Sequence, residues 1–216
     1  GPALADGVEE WSGRETYRVG PESSSDRQGS KPETGQNGWT TGSLQATVPP
    51  KMANVHSVFL FIPCLVENFH PEIGQATARI LAGAGVRPVL PAGQTCCGQP
   101  LYKAGQVGQA RVLARRYLDV FADPQPVVAP SGSCVAMIRK YPELFTDEPL
   151  LQQRAEDMAA RTFELTEFLV DRLGRQDLGV SFQARAVYHD SCQGGRALGI
   201  RRQPAALLSR VRGLEL

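Results

Sequence analysis

Short apolar runs that end at a cysteine recur along this chain, and they leave few folds open. Residues 58–62, Val-Phe-Leu-Phe-Ile, form an unbroken apolar stretch that stops at Pro63-Cys64. A run this short and this continuous suggests a strand buried on both faces. Residues 87–90, 126–129 and 184–189 read as further strands, the last leading into Asp190-Ser191-Cys192. Between them the period changes. Ile73, Ala76, Thr77, Ile80, Leu81 and Ala84 fall at helical spacing over 71–84, and Val107, Ala110, Leu113, Ala114, Tyr117, Leu118 and Phe121 do so over 106–121. Another helix starts at 135–140, and 149–174 reads as helical in at least two pieces. Strands alternating with helices imply an α/β fold with a parallel sheet and flanking helices. Every cysteine then lies just after a strand. A parallel sheet gathers those strand ends at one edge, where ligands of open α/β sheets bind, facing the N-termini of the helices that follow.

The cysteines are Cys64, Cys96, Cys97, Cys134 and Cys192. Adjacent Cα atoms are about 3.8 Å apart across a trans peptide, whereas an unstrained disulfide spans roughly 4.4 to 6.8 Å, so Cys96 and Cys97 are poor partners for each other. With Cys64 and Cys134 they form the pattern C-x31-CC-x36-C, which suits a metal site built from separate loops. A disulfide framework belongs to small core-poor secreted chains, while 216 residues with 42% hydrophobic content are not core-poor, and five is an odd count. Residues 1–30 carry neither an apolar run nor a basic start, so no secretory signal is visible and a reducing cytoplasmic setting is expected. Structural zinc sites usually present C-x2-C knuckles, and no two cysteines here have that spacing. Zinc nevertheless stays open as an alternative to an iron–sulfur cluster.

A net charge of +1 and a pI near 7.8 argue against nucleic acid as a partner, the basic group Arg196, Arg201, Arg202, Arg210 and Arg212 reading as the solvated side of a helix. No stretch approaches the eighteen apolar residues of a membrane span, so direct membrane insertion is not expected. Residues 1–53 are rich in Gly, Ser, Pro, Glu, Thr and Gln and read as a disordered extension, with Trp11 and Trp39 as its two hints of a binding segment. No G-x-G-x-x-G, G-x-S-x-G or G-x4-G-K-[ST] motif is present. His189, three residues before Cys192, is a candidate hydrogen-bond donor to a metal-bound sulfur, and Glu67, His70 and Glu72 are candidates for a substrate mouth. No residue is identified as catalytic.

Residues 57–64 and 185–192 both run a strand into a cysteine, so the chain carries an internal repeat. The expected division is a disordered extension over 1–53, a first cysteine-rich repeat over 54–180, and the start of a second, incomplete repeat over 181–216. Leu214-Glu215-Leu216 stands at the offset of the second strand. The partners of Cys192 would follow it.

The cysteine pattern together with Cys64-Leu65-Val66-Glu67, Thr95-Cys96-Cys97-Gly98-Gln99-Pro100, Pro130-Ser131-Gly132-Ser133-Cys134 and Tyr188-His189-Asp190-Ser191-Cys192 resembles the cysteine-rich, CCG-motif iron–sulfur family. That family includes the lactate utilization proteins, the glycolate oxidase iron–sulfur subunit and the CCG-motif subunit of heterodisulfide reductase. The resemblance covers residues 55–216 and is strongest to the lactate utilization members. It implies an iron–sulfur electron-transfer subunit of a complex oxidising L-lactate, or a related 2-hydroxy acid, to the keto acid, beside a ferredoxin-type iron–sulfur protein. Cys64, Cys96, Cys97 and Cys134 would hold a four-iron cluster, with Cys192 a possible further ligand. The chain departs from the family in having Ser131 where the motif ends in C-x2-C, which points to four thiolates rather than five. It also has Gln193 where the second motif often has His. The alternative reading is a zinc-stabilised or metal-free scaffold that docks on a redox partner.

Overall fold

The computed structural model describes Met52 and residues 55–216. The extension expected over 1–53, with Trp11 and Trp39, otherwise lies outside the described residues. Met52 packs against the core, and its N–H donates to the carbonyl of Arg172 at 3.1 Å.

The chain runs β1 (Ser57–Leu60), α1 (Cys64–Phe69), α2 (Pro71–Gly83), β2 (Arg87–Val89), α3 (Gln99–Lys103), α4 (Val107–Val120) and β3 (Val127–Ala129). It continues through α5 (Gly132–Ile138), α6 (Tyr141–Leu144), α7 (Pro149–Ala160), β4 (Thr162–Glu164) and α8 (Leu165–Glu167), which passes into a π-helical turn, Phe168–Arg172. The last elements are β5 (Ser181–Arg185), a second π-helical turn (Cys192–Ala197), α9 (Arg202–Leu208) and β6 (Arg212–Glu215). The first four strands form one parallel sheet in the order β2-β1-β3-β4, and β5 and β6 pair in parallel as a second sheet. The α/β class with a parallel sheet and flanking helices is therefore what the chain adopts.

The continuous apolar run of β1 is explained by its two buried faces. Side chains alternate along a strand, so Phe59 and Phe61 enter one core with Tyr117, Leu118, Phe121, Met137, Tyr141 and Phe145, while Val58, Leu60 and Ile62 enter the other with Leu81, Val86, Val128, Phe163 and Phe168. In the first core the aromatics meet edge-on, Phe61 to Tyr117 at 5.1 Å and Tyr117 to Tyr141 at 5.6 Å between centroids. Gly74 lets α2 pack closely on this face, because a Cβ there would come 3.1 Å from Ile62 Cδ1.

Residues 149–174 are helical in two pieces, as expected, and Thr162–Glu164 between them forms β4, in register with Val127–Ala129. Three residues between two helices carry too little period to reveal a strand, and it exists because β3 offers it an edge. The strand expected at 184–189 is shifted to Ser181–Arg185, because its partner β6 pairs with Ser181, Ala184 and Arg185.

Strand order decides where the loops meet. β1 is central, with β2 on one side and β3 on the other, so the chain reverses direction across the sheet between β1 and β3. The crevice beyond the carboxyl ends of such a pair is the usual ligand site of open α/β sheets. Cys64 follows β1 and Cys134 follows β3.

Candidate metal centre

Three loops carry four cysteines to that crevice. Cys64 opens α1 directly after Pro63, Cys96 and Cys97 precede the Gly98 that caps α3, and Cys134 lies in the first turn of α5. Cys97 and Cys134 are buried, Cys64 and Cys96 half-buried, and all are free thiols. The Cys64 thiol donates to Cys96 Sγ at 3.5 Å. Cys97 and Cys134 lie close enough to shift each other's acidity and that of their neighbours, so the four sulfurs are gathered at one place.

Side chains far apart in sequence tie the loops together. Gln94 receives the Ile62 N–H on its Oε1 at 2.9 Å and donates Nε2 to the carbonyls of Leu60 and Pro91, closing the cysteine-pair loop onto the end of β1. Gln99 Nε2 donates to the Ser133 carbonyl at 3.0 Å and closes it onto the Cys134 loop. Tyr141 Oη donates to the Cys97 carbonyl at 2.9 Å from the interior. Sequence reasoning missed Gln94 and Tyr141, for their partners lie 34 and 44 residues away. Gln94 alone left a trace, as an amide two residues before the cysteine pair.

The thiols divide into acceptors and donors. The hydrogen bond from Cys97, followed by the Gly98 N–H and the Cys64 thiol, lowers Cys96 to about 5 against the opposing effect of burial. Cys97 likewise lowers Cys134 to about 7, assisted by the hydroxyls of Ser131 and Ser133. Cys97 is pushed up, first because it donates to Cys134, then by its bond to Cys96 and by burial. Burial, followed by the bond to Cys96, raises Cys64 to about 11. These influences favour negative charge on Cys96 and Cys134 over Cys64 and Cys97.

Ser131 stands where the family motif has a further cysteine, and it caps α5 by accepting the Cys134 N–H at 3.4 Å. The field expected from helix ends is supplied differently. α1, α3 and α5 span six, five and seven residues, and individual groups, namely the N–H of Leu65, Gly98 and Gln99 and the two serine hydroxyls, act to lower the pKa of the sulfurs beside them.

The remaining candidates fall elsewhere. Cys192 is exposed at the start of its π-helical turn. That turn packs on α5, and a Cβ on Gly132 would stand 3.2 Å from Gly194 Cα. Gly132 is therefore small to admit the Cys192 turn, not to approach a sulfur as its place in the motif suggests. His189 is exposed and makes no hydrogen bond among the described residues. Glu67 is exposed, and His70 Nδ1 pairs with Glu72 Oε1 at 3.1 Å in the open.

The donor set suits a soft metal, because four thiols converge without a carboxylate or imidazole among them. Among the described residues no group of three or more His, Cys, Asp or Glu already stands in ligating geometry. Cys64 and Cys96 are held together by an S–H···S hydrogen bond that a bound metal would replace. Among the described residues no helix is long and apolar enough to cross a membrane.

Strand order and cysteine placement together define a CCG-type cysteine-rich domain, and the CCG cysteine-rich domain family matches residues 58–139. The chain is 45% identical over 159 residues to lactate utilization protein A of Geobacillus kaustophilus, covering 74% of this chain and 66% of that protein. The Bacillus subtilis protein of the same name is 44% identical over 158 residues, covering 73% and 66%, and the Bacillus velezensis one 43% over 159, covering 74% and 67%. The chain belongs to the lactate utilization protein A family. It spans about two-thirds of the length of these relatives.

Proposed function

We propose that Cys64, Cys96, Cys97 and Cys134 hold one iron–sulfur cluster, and that the chain serves electron transfer in the oxidation of L-lactate, or a related 2-hydroxy acid, to the keto acid. The observation that carries this reading is the convergence of four thiols from three strand-end loops at the crevice between β1 and β3. The name of the relatives supports lactate as the substrate of the system. When bound, the cluster supplies a one-electron store, and Cys thiolates are its usual ligands.

The chain's own residues prepare the site. Cys96 and Cys134 present sulfurs whose charge is already favoured, so they are suited to take metal first. Cys64 and Cys97 release their protons as they become ligands, which makes affinity rise with pH. Gln94 and Gln99 keep the three loops at fixed separation. The Leu65, Gly98 and Gln99 N–H groups with the Ser131 and Ser133 hydroxyls offset the negative charge of four thiolates. Electrons would pass to or from a ferredoxin-type iron–sulfur protein in the cytoplasm.

The division into repeats belongs to the same proposal. Residues 54–180 form the first cysteine-rich repeat and 181–216 begin a second, since β1 and β2 on one side and β5 and β6 on the other are parallel pairs with a cysteine after the first strand.

Anaerobic reconstitution followed by metal and sulfide analysis tests the reading, with about four irons per chain expected for a cubane on four cysteines. A second reading has one observation in its favour. Cys64 and Cys96 stand 3.5 Å apart, near the roughly 3.8 Å that two thiolates adopt on one tetrahedral zinc with bonds of about 2.3 Å. Uptake of one zinc, with no iron and no visible absorbance change on dithionite, would replace the cluster with a structural zinc.

A further inference from the structure

The peptide unit between Cys97 and Gly98 is engaged at both ends. Its carbonyl accepts the Tyr141 hydroxyl at 2.9 Å, in a bond wholly inside the first core. Its N–H, carried by Gly98, lies beside the Cys96 sulfur and lowers its pKa. Gly98 holds φ at 82°, in the left-handed region, and a Cβ on it would stand 3.4 Å from the Ala110 carbonyl oxygen. The peptide is therefore pinned by the packing of α3 on α4 as well as by its own bonds.

The Tyr141 hydroxyl has no packing role to explain it. The ring is fully buried, edge-on to Tyr117, and a Phe would fill the same space. Its hydrogen bond to Cys97 is the only one it makes among the described residues. A peptide carbonyl and N–H belong to one delocalised unit, so a donor on the oxygen draws electrons from the nitrogen and makes its N–H a stronger donor. Such chains of hydrogen bonds are mutually reinforcing, by about 10–30% per bond.

We propose that Tyr141 is a positioning residue of the thiol site, acting through the Cys97–Gly98 peptide to hold and strengthen the N–H beside the Cys96 sulfur. Hydrogen bonds to ligand sulfurs favour the reduced form of an iron–sulfur centre by offsetting its extra negative charge. Removing the phenol oxygen therefore lowers the midpoint potential. This electrochemical consequence rests on the cluster reading above, whereas the hydrogen-bond relay itself does not.

The test compares three variants of the full chain with the unaltered protein. Tyr141→Phe removes the donor, 2,3-difluorotyrosine placed at position 141 makes it stronger, and Tyr117→Phe removes a neighbouring buried hydroxyl that has no partner among the described residues. In the metal-free reduced protein, the Gly98 amide proton moves upfield and exchanges faster in Tyr141→Phe, moves downfield in the fluorinated chain, and stays in place in Tyr117→Phe. After anaerobic reconstitution, the midpoint potential of the bound cluster shifts down in Tyr141→Phe and up in the fluorinated chain. A folded Tyr141→Phe protein with an unmoved Gly98 amide overturns the proposal. Should that variant fail to fold, a fluorinated chain without the downfield shift overturns it instead. Absence of iron in the unaltered protein sinks the cluster reading alone, and the amide shift then decides the relay.

Discussion

The same local plan is built twice in this molecule and gives two different environments. β1 and β2 pair in parallel with Cys64 after the first strand, and β5 and β6 do the same with Cys192. Val58, Phe59 and Leu60 of β1 are buried, whereas four of the five residues of β5 and three of the four of β6 are exposed. Cys64 sits among three other thiols and Cys192 is exposed. The difference comes from what is laid beside the pair. β1 gains β3 on its free edge and helices on both faces, while β5 and β6 form a sheet of two strands among the described residues. A strand–cysteine–helix–strand unit thus does not by itself gather thiols. Convergence of its loop with others does.

The largest expected contrast lies in the cores. Phe61→Ala removes a ring fully buried between Tyr117 and Phe121 and should cost about 3–5 kcal/mol in chemical unfolding. Phe182→Ala in β5, where the side chain is 64% exposed, should stay within about 0.5 kcal/mol. Equal costs would break the comparison and mean that β5 is covered in solution.

Loop ties come next. Gln94→Ala leaves the Ile62 N–H and the Leu60 carbonyl without their partners and should cost about 2–3 kcal/mol while weakening metal uptake. Thiol labelling sharpens the same contrast. In the metal-loaded protein one cysteine should remain open to alkylation, and Cys192→Ser should abolish that labelling. Protection of Cys192 would bring it into the site.

The pH profile of the metal-free protein follows from the divided thiols. Cys96 and Cys134 are depressed to about 5 and about 7, so the unfolded chain binds more protons than the folded one from there up to the ordinary thiol range. Stability therefore rises with pH across that window and is lost as pH falls through about 7 and then about 5. Cys64, raised to about 11, acts in the opposite sense, and stability falls from the ordinary thiol range towards that value. Urea midpoints should trace a maximum near the ordinary thiol range, with the acid limb flattened in Cys96→Ser.

The smallest contrast concerns ion pairs. Arg139 donates to Glu167 and to the Thr162 carbonyl in a partly buried setting, so Arg139→Ala should cost about 1.5–3 kcal/mol. Arg201 and Asp190, at 2.8 Å beside the Cys192 turn, are more exposed, and a double-mutant cycle should return less than about 1 kcal/mol.

Much of the first region was legible along the chain. The strands at 58–62, 87–90 and 126–129 and the helices at 71–84 and 106–121 are found within a residue or two, because a run buried on both faces and an amphipathic face leave their periods in the sequence. Thr162–Glu164 was not legible. Neither was Gln94, whose three bonds depend on β1 and β2 lying side by side.

The sequence by itself determined that strands alternate with helices, that Cys96 and Cys97 cannot readily bond to each other, and that each cysteine follows a strand. These are local properties of neighbouring residues. Tertiary structure alone decided that β1 lies between β2 and β3, so that the Cys64, Cys96–Cys97 and Cys134 loops converge while Cys192 starts from another sheet. It also decided how the thiol acidities divide, because Cys64 meets Cys96, and Cys97 lies by Cys134, across more than thirty residues of sequence.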